Sequence, residues 1–211
     1  MKIERAEFLR SSPTAADLLP VESPEVAFVG RSNVGKSSLL NRLLGQRGLA
    51  RTSGTPGRTQ AVNYFRIDDG RLLFVDLPGY GFARASRAAR GDWAKVIEAY
   101  LARSPERRLL VQLVDARVGA TELDVEASRY LAATGSRRVI AATKIDKLGR
   151  GERARALAEI GRHLELDRAT EILPVSAVTG EGMRELWKHV SEHSERAAEL
   201  SAGEIPPQSK R

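Results

Sequence analysis

Cysteine is absent from all 211 residues, which removes disulfides, zinc–thiolate sites and thiol catalysis and fits a reducing compartment. No run of about 18 apolar residues occurs, and the first residues, Met1-Lys2-Ile3-Glu4-Arg5, lack the apolar core of a secretory signal. No membrane span is therefore expected, and the cytoplasm is the expected location. Histidine is scarce at 3 residues, and although His189 and His193 share one predicted helix, no third metal ligand is apparent beside them. Aromatic residues make up 5%, and Trp93 and Trp187 fall among apolar neighbours on predicted helix faces, as core residues do, rather than in base-stacking platforms. Acidic residues are in deficit, 27 against 34 Lys and Arg, for a net charge of +7. That excess favours a polyanionic partner, although a solvated, arginine-rich surface has the same balance.

One stretch carries the most chemistry. Gly30-Arg31-Ser32-Asn33-Val34-Gly35-Lys36-Ser37 fits the pattern G-x-x-x-x-G-K-[S/T], straight after the apolar run Val26-Ala27-Phe28-Val29 and straight before the helical run from Ser38 to Leu44. A loop bracketed by two glycines can curl so that successive backbone N–H groups converge on a di- or triphosphate, aided by the positive end of the next helix. Lys36 then supplies a point charge to the β- and γ-phosphates, and the Ser37 hydroxyl is a ligand for Mg²⁺.

Three further boxes follow in order. Asp76-Leu77-Pro78-Gly79 ends the apolar strand Leu72–Val75, where a carboxylate can reach Mg²⁺ through water and the Gly79 amide can meet a γ-phosphate. Thr143-Lys144-Ile145-Asp146 ends another strand. A carboxylate there accepts two hydrogen bonds from guanine, at the ring N–H and the exocyclic amine, whereas adenine offers an acceptor and no amine and would leave it unpaired. The Lys144 stem can lie along the purine face. Ser176-Ala177-Val178, after the last strand, can offer backbone N–H groups to the guanine oxygen.

Between the boxes, predicted strands and helices alternate: strand 108–115, helix 123–133, strand 138–143, helix 152–164, strand 171–176, helix 181–195. Such alternation means right-handed crossovers and a doubly wound sheet. Residues 61–68 and 71–77 form a predicted hairpin about Asp69-Gly70, which adds one antiparallel strand. The expected fold is a P-loop NTPase α/β three-layer sandwich, with a mostly parallel six-stranded sheet and helices on both faces. Residues 1–24 read as an arm packed on the domain, 25–196 as the nucleotide-binding domain, and 197–211, with Gly203, Pro206 and Pro207, as a disordered tail. Gln46 to Gln60 reads as a long mobile loop. A helix is predicted from Asp92 to Leu101, capped by Asp92.

Taken together, the residues resemble the EngB/YihA/YsxC group of ribosome-biogenesis GTP-binding proteins, in the TrmE-Era-EngA-EngB-septin-like class of P-loop GTPases. The resemblance is carried by Gly30 to Asn41, by Thr55-Pro56-Gly57-Arg58-Thr59-Gln60, by Asp76-Leu77-Pro78-Gly79-Tyr80-Gly81 and by Thr143-Lys144-Ile145-Asp146, and covers residues 5 to 195. It implies GTP and GDP as ligands, Mg²⁺ as cofactor, assembly of the large ribosomal subunit as the task, with its rRNA and proteins as partners, and an effect of loss on growth, division and septation. No DNA partner is expected, and the expected form is a monomer.

By this resemblance Thr59 joins Ser37 and Asp76 at Mg²⁺, with Thr55 as a rival that spacing does not exclude. Lys36, Thr59 and Gly79 are the expected catalytic groups. The expected nucleotide contacts are Gly30, Arg31, Ser32, Asn33, Val34, Gly35, Lys36, Ser37, Ser38, Gly57, Arg58, Thr59, Asp76, Leu77, Pro78, Gly79, Thr143, Lys144, Asp146, Ser176, Ala177 and Val178. Tyr80 stands where many GTPases place a water-orienting glutamine, so slow intrinsic hydrolysis is expected. Relatives with asparagine at the Asn33 position use K⁺ at the phosphates; equally, Asn33 can hydrogen-bond within its loop. Arg47, Arg51, Arg58, Arg84, Arg87 and Arg90 flank the segments expected to change with nucleotide, as contacts to rRNA phosphates or as a solvated basic surface. Two other classes remain in view: a GTP-dependent regulator of cell division working through protein partners, and a P-loop kinase, which the guanine-selecting box disfavours.

Overall fold

The computed structural model describes residues 3–50, 61–80, 87–167 and 169–203, with backbone alone for 87–93 and 201–203. Seven strands, β1 (Ala6–Ser12), β2 (Glu25–Gly30), β3 (Val62–Ile67), β4 (Leu72–Asp76), β5 (Arg108–Asp115), β6 (Arg137–Thr143) and β7 (Glu171–Pro174), lie in one sheet. Their spatial order is β1-β3-β4-β2-β5-β6-β7. β2 is parallel to β4 and β5, β5 to β6, and β6 to β7, while β3 is antiparallel to both β1 and β4. One strand, β3, thus opposes the rest.

Alternation along the central strands assigns the two faces. Val26 and Phe28 of β2 and Leu109, Val111 and Leu113 of β5 pack with Leu39, Leu40 and Leu43 of α1 (Lys36–Leu43) and Leu186 and Val190 of α5 (Met183–Gly203). Ala27, Val29 and Leu110 point the other way, onto Val96 and Tyr100 of α2 (Arg87–Leu101) and Leu131 of α3 (Glu122–Ala132). Ile160 and Leu164, on and just after α4 (Arg150–His163), continue that layer against Val114 and Ile140. Helices on both faces bury the middle strands completely: every residue of β2 and β5 is buried. Period-2 patterning is therefore two-sided here, as in parallel sheets. Trp187 stacks on Phe74, ring centroids 5.6 Å apart, in the core as its sequence neighbours suggest; the side chain of Trp93 lies outside the described residues.

Three boundaries differ from expectation. The sheet has seven strands, not six, because the N-terminal segment supplies the edge strand β1. The turn between β3 and β4 ties it down, with Asp68 Oδ1 accepting the N–H groups of Glu4 and Arg5 at 2.9 Å each. α2 starts at Arg87, five residues before the proposed cap, since Arg87-Ala88-Ala89-Arg90 are strong helix formers and Gly91 alone does not break them. α5 runs on through Arg196-Ala197-Ala198-Glu199-Leu200 to Gly203, with Ala197 buried, so the start of the proposed tail is helical and packed. Residues 204–211 lie outside the described residues. Among the described residues no helix is long and apolar enough to cross a membrane.

Below the sheet, opposite the phosphate loop, sits a buried polar cluster. The Arg108 guanidinium lies 4.3 Å over the Tyr100 ring and donates to the carbonyls of Tyr100 and Leu101 at 2.8 and 3.0 Å. The Tyr100 hydroxyl donates to Glu25 Oε2 at 2.8 Å, and burial raises the Glu25 carboxyl above its usual range. His193 is buried beside it, 3.0 Å from the Arg107 carbonyl, and burial pushes its imidazole down to about 4.

Unfolded, His193 takes a proton at about pH 6.5; folded, it resists until about pH 4, so stability falls as pH drops through that window. Glu25 acts with the opposite sign, since its raised carboxyl favours the folded state at low pH and that contribution is lost as pH rises. His193→Gln removes the first effect alone and keeps an N–H donor. Chemical denaturation at about pH 7 and about pH 5 should show wild type losing about 2 kcal/mol more than the variant.

Candidate active site

The parallel strands end on one edge of the sheet, and every box of interest issues from that edge. Register makes the ends level: Phe28 pairs with Asp76, Gly30 with Leu113, and Asp115 with Thr143. Loops following parallel strands meet there, the position where doubly wound folds bind ligands.

On the phosphate side, Gly30 ends β2, Arg31 to Gly35 form the loop, and Lys36, Ser37 and Ser38 open α1. The Lys36 ammonium is paired with Asp76 Oδ1, both side chains nearly buried. Leu77, buried, donates its N–H to Phe28 O at 3.0 Å, and Pro78 leads into Gly79. The Gly79 backbone comes so close to the loop that a Cβ there would stand 3.0 Å from Gly30 O and 3.3 Å from Ser32 N. The Ser32 hydroxyl oxygen is buried with no hydrogen-bond partner, and Asn33 is exposed, in the left-handed region at φ 64°. Gly57, Arg58, Thr59 and Thr55 lie outside the described residues, as do Arg51, Arg84 and the side chains of Arg87 and Arg90.

On the base side, Thr143, Lys144, Asp146, Ala177 and Val178 line a pocket of about 170 Å³ that also touches Gly35 and Ser38. Asp146 Oδ1 accepts the Ser176 hydroxyl at 2.6 Å, and Ser176 Oγ in turn accepts the N–H groups of Val178 and Thr179 at 3.2 and 3.1 Å. That hydroxyl, above all, holds the Asp146 carboxyl below its usual range, so it is an ionised acceptor at neutral pH. The Thr143 hydroxyl lies 2.6 Å from Val34 O, and Lys144 Nζ donates to Asn33 O at 2.6 Å. The two halves are therefore joined through the backbone of the phosphate loop.

Tyr80 does not face the phosphate loop with its hydroxyl. It donates to Asp124 Oδ1 at 2.8 Å, on the first turn of α3, while Arg31 Nε lies 2.9 Å from Asp124 Oδ2 and the backbones of Arg31 and Tyr80 form a parallel bridge. At the start of the same helix Thr121 donates its N–H and its hydroxyl to Asp124 Oδ2, at 2.9 and 2.7 Å. Burial, then the Asp124 charge, raises the Tyr80 phenol well above its usual range, so it is a neutral donor. Sequence reasoning missed Asp124: with Thr121 it reads as an ordinary helix start, one of two acidic residues in that first turn, and nothing along the chain marks it as a partner of Arg31 and Tyr80.

Comparison with known proteins decides the family. A family profile described as "50S ribosome-binding GTPase" matches residues 25–144. The "Probable GTP-binding protein EngB" of Geobacter metallireducens is 45% identical over 190 residues, 90% of this chain and 92% of that protein; its namesake from Desulforamulus reducens is 43% identical over 192 residues, 91% and 94% of the two chains. The chain belongs to the EngB family of GTP-binding proteins.

As an EngB-family member it is a GTPase that binds guanine nucleotides. A crystal structure of a probable GTP-binding protein EngB superposes with a TM-score of 0.62 at 21% identity, over 81% of this chain and 98% of that one, which shows the shared fold. Era in complex with MgGDPNP and nucleotides 1506–1542 of 16S ribosomal RNA superposes with a TM-score of 0.62 at 26% identity, over 81% and 56%. Among the described residues no three His, Cys, Asp or Glu side chains gather as a metal cluster, and His189 Nε2 lies 3.1 Å from Glu171.

The loop bearing Ser176 tolerates no side chain at Gly182. With φ at 75°, a Cβ there would fall 2.1 Å from Pro174 O and 2.9 Å from Val175 Cγ1. Gly182→Ala should destabilise the protein by more than about 2 kcal/mol, read as a lower urea midpoint, and weaken GDP binding in a fluorescence titration.

Proposed function

We propose that this EngB-family GTPase is a Mg²⁺-dependent switch that binds large ribosomal subunit precursors in one nucleotide state. The observation that carries the nucleotide half is the pairing of Lys36 with Asp76 beneath a loop whose buried Ser32 hydroxyl has no hydrogen-bond partner. A triphosphate meets both: it takes the Lys36 ammonium and accepts the Ser32 O–H. The ribosomal half rests on the description of the matching family, on the RNA-bound relative Era, and on the net charge of +7.

The donor set suits the metal. The Ser37 hydroxyl and the Asp76 carboxylate are hard oxygens, as Mg²⁺ prefers, and with Thr59 they are the residues proposed to hold it. When bound, Mg²⁺ would neutralise charge on the β- and γ-phosphates. In this reading Lys36 adds its own charge there, the Gly79 amide donates to the γ-phosphate, and Asp146, held by Ser176, accepts the guanine N–H groups while Lys144 covers the ring. Asn33 is the proposed contact for K⁺: it is exposed, and its side chain makes no hydrogen bond among the described residues.

With Tyr80 held by Asp124 and no glutamine in its place, the free protein should turn over more slowly than about one GTP per minute. Faster turnover sinks this account of Tyr80, and equal rates in KCl and NaCl dismiss the K⁺ role. GDP should bind at least about a hundredfold more tightly than ADP. For the partner, the protein is sedimented with salt-washed large subunits in a non-hydrolysable GTP analogue, in GDP, or without nucleotide. Co-sedimentation with the analogue alone is the expected result.

No co-sedimentation in any state, with tight GTP binding intact, shifts the reading to a regulator of division acting through protein partners. Leu123 and Tyr130, two turns apart on one face of α3 and each more than 40% exposed, are the surface that reading would use.

A further inference from the structure

Resting on the reading of Thr143–Asp146 as the guanine site, we infer that Asp115 is a positioning residue for nucleotide binding, which with Arg117 fixes Lys144 between the base pocket and the phosphate loop. Asp115 ends β5, directly beside Thr143 of β6, and is buried. Its carboxylate accepts four hydrogen bonds. Arg117 gives three of them, from its backbone N–H at 3.1 Å, Nε at 3.0 Å and Nη2 at 2.7 Å, and Lys144 Nζ the fourth at 2.8 Å.

The guanidinium is a rigid fork that engages both carboxylate oxygens, so the acceptor presented to Lys144 cannot rotate away. Burial alone would raise the Asp115 carboxyl, but the bonds from Arg117 and Lys144 hold it at about 2, so it stays charged throughout the working range. Lysine is the opposite kind of side chain, a flexible stem with a compact charge. Here that charge is clamped between Asp115 Oδ2 and Asn33 O, which stretches the stem across Gly35, within 3.7 Å of where a Cβ on that residue would stand. The methylenes thereby form one wall of the pocket before any base arrives, and the rotamer freedom of Lys144 is surrendered on folding rather than on binding. Asp146 has its own, separate support from Ser176, so Asp115 governs how tightly a purine nucleotide is held and not which purine is chosen.

The test is a set of equilibrium titrations with GDP, ADP and inorganic pyrophosphate on the full-length wild type, Asp115→Asn, Lys144→Met and the double variant. Asp115→Asn should weaken GDP about tenfold, weaken pyrophosphate by less, and leave the GDP-to-ADP ratio unchanged. The double variant should bind GDP within about twofold of Lys144→Met alone, because Asp115 acts through that lysine. GDP affinity equal to wild type in Asp115→Asn, effects that multiply in the double variant, or equal losses for GDP and pyrophosphate would each overturn the inference. Should Asp115→Asn not fold, Arg117→Ala takes its place, with a weakening of about threefold expected and no change overturning the inference. Wild type that fails to prefer GDP to ADP defeats the guanine-site reading itself, a different failure from the others.

Discussion

Everything at the candidate site depends on the level ends of the parallel strands. β2, β4, β5 and β6 run side by side, and their register brings Gly30, Asp76, Asp115 and Thr143 to one edge within neighbouring hydrogen-bonded pairs. A shift of one residue in any strand would turn its side chains to the other face and withdraw its last residue from the edge. Complete burial of β2 and β5 between two helical layers is what forbids that slip. Core packing and site geometry are thus one constraint.

The loops that leave this edge are also bonded to one another rather than only to their strands. Val34 O meets the Thr143 hydroxyl, Asn33 O meets Lys144, Ile145 N–H reaches Val175 O, and Val175 N–H reaches Ala142 O. The base half is in this way a cross-braced unit with its own acceptor, Asp146, already oriented. On the phosphate half the bracing is ionic: Lys36 pairs with Asp76 at the end of β4, and Arg31 with Asp124 of α3.

Much of this was legible in the sequence, and the rest was not, for identifiable reasons. The phosphate loop, the Asp76–Gly79 turn and the Thr143–Asp146 box are contiguous, and each requires residue types at fixed spacing, so reading along the chain finds them. β5 was legible to the residue from its apolar run. β1 was not, because only Ala6 and Ser12 at its ends are buried while Phe8 and Leu9 remain exposed, which erases the alternation that marks a strand. The early start of α2 and the late end of α5 are hidden in the sequence because a good cap residue, Asp92, and two helix breakers, Pro206 and Pro207, stand beside the helix-forming runs. Asp115 and Asp124 escaped for another reason: beside their near neighbours Arg117 and Thr121, the partners that tie them to the site, Lys144 and Tyr80, are 29 and 44 residues away along the chain, and only the fold brings them together.

The buried carboxylate of Asp124 divides its labour between its two oxygens. Oδ2 is shared by Thr121 and Arg31, whereas Oδ1 has the Tyr80 phenol as its hydrogen-bond donor. Pulling Tyr80 away would leave charge balance intact, through Arg31, but strip one oxygen of its donor inside the protein, at a cost of about 1–3 kcal/mol. Such a threshold makes the Tyr80 side chain behave like a detent: it resists small displacements, yields to a force that exceeds one hydrogen bond, and returns to the same notch.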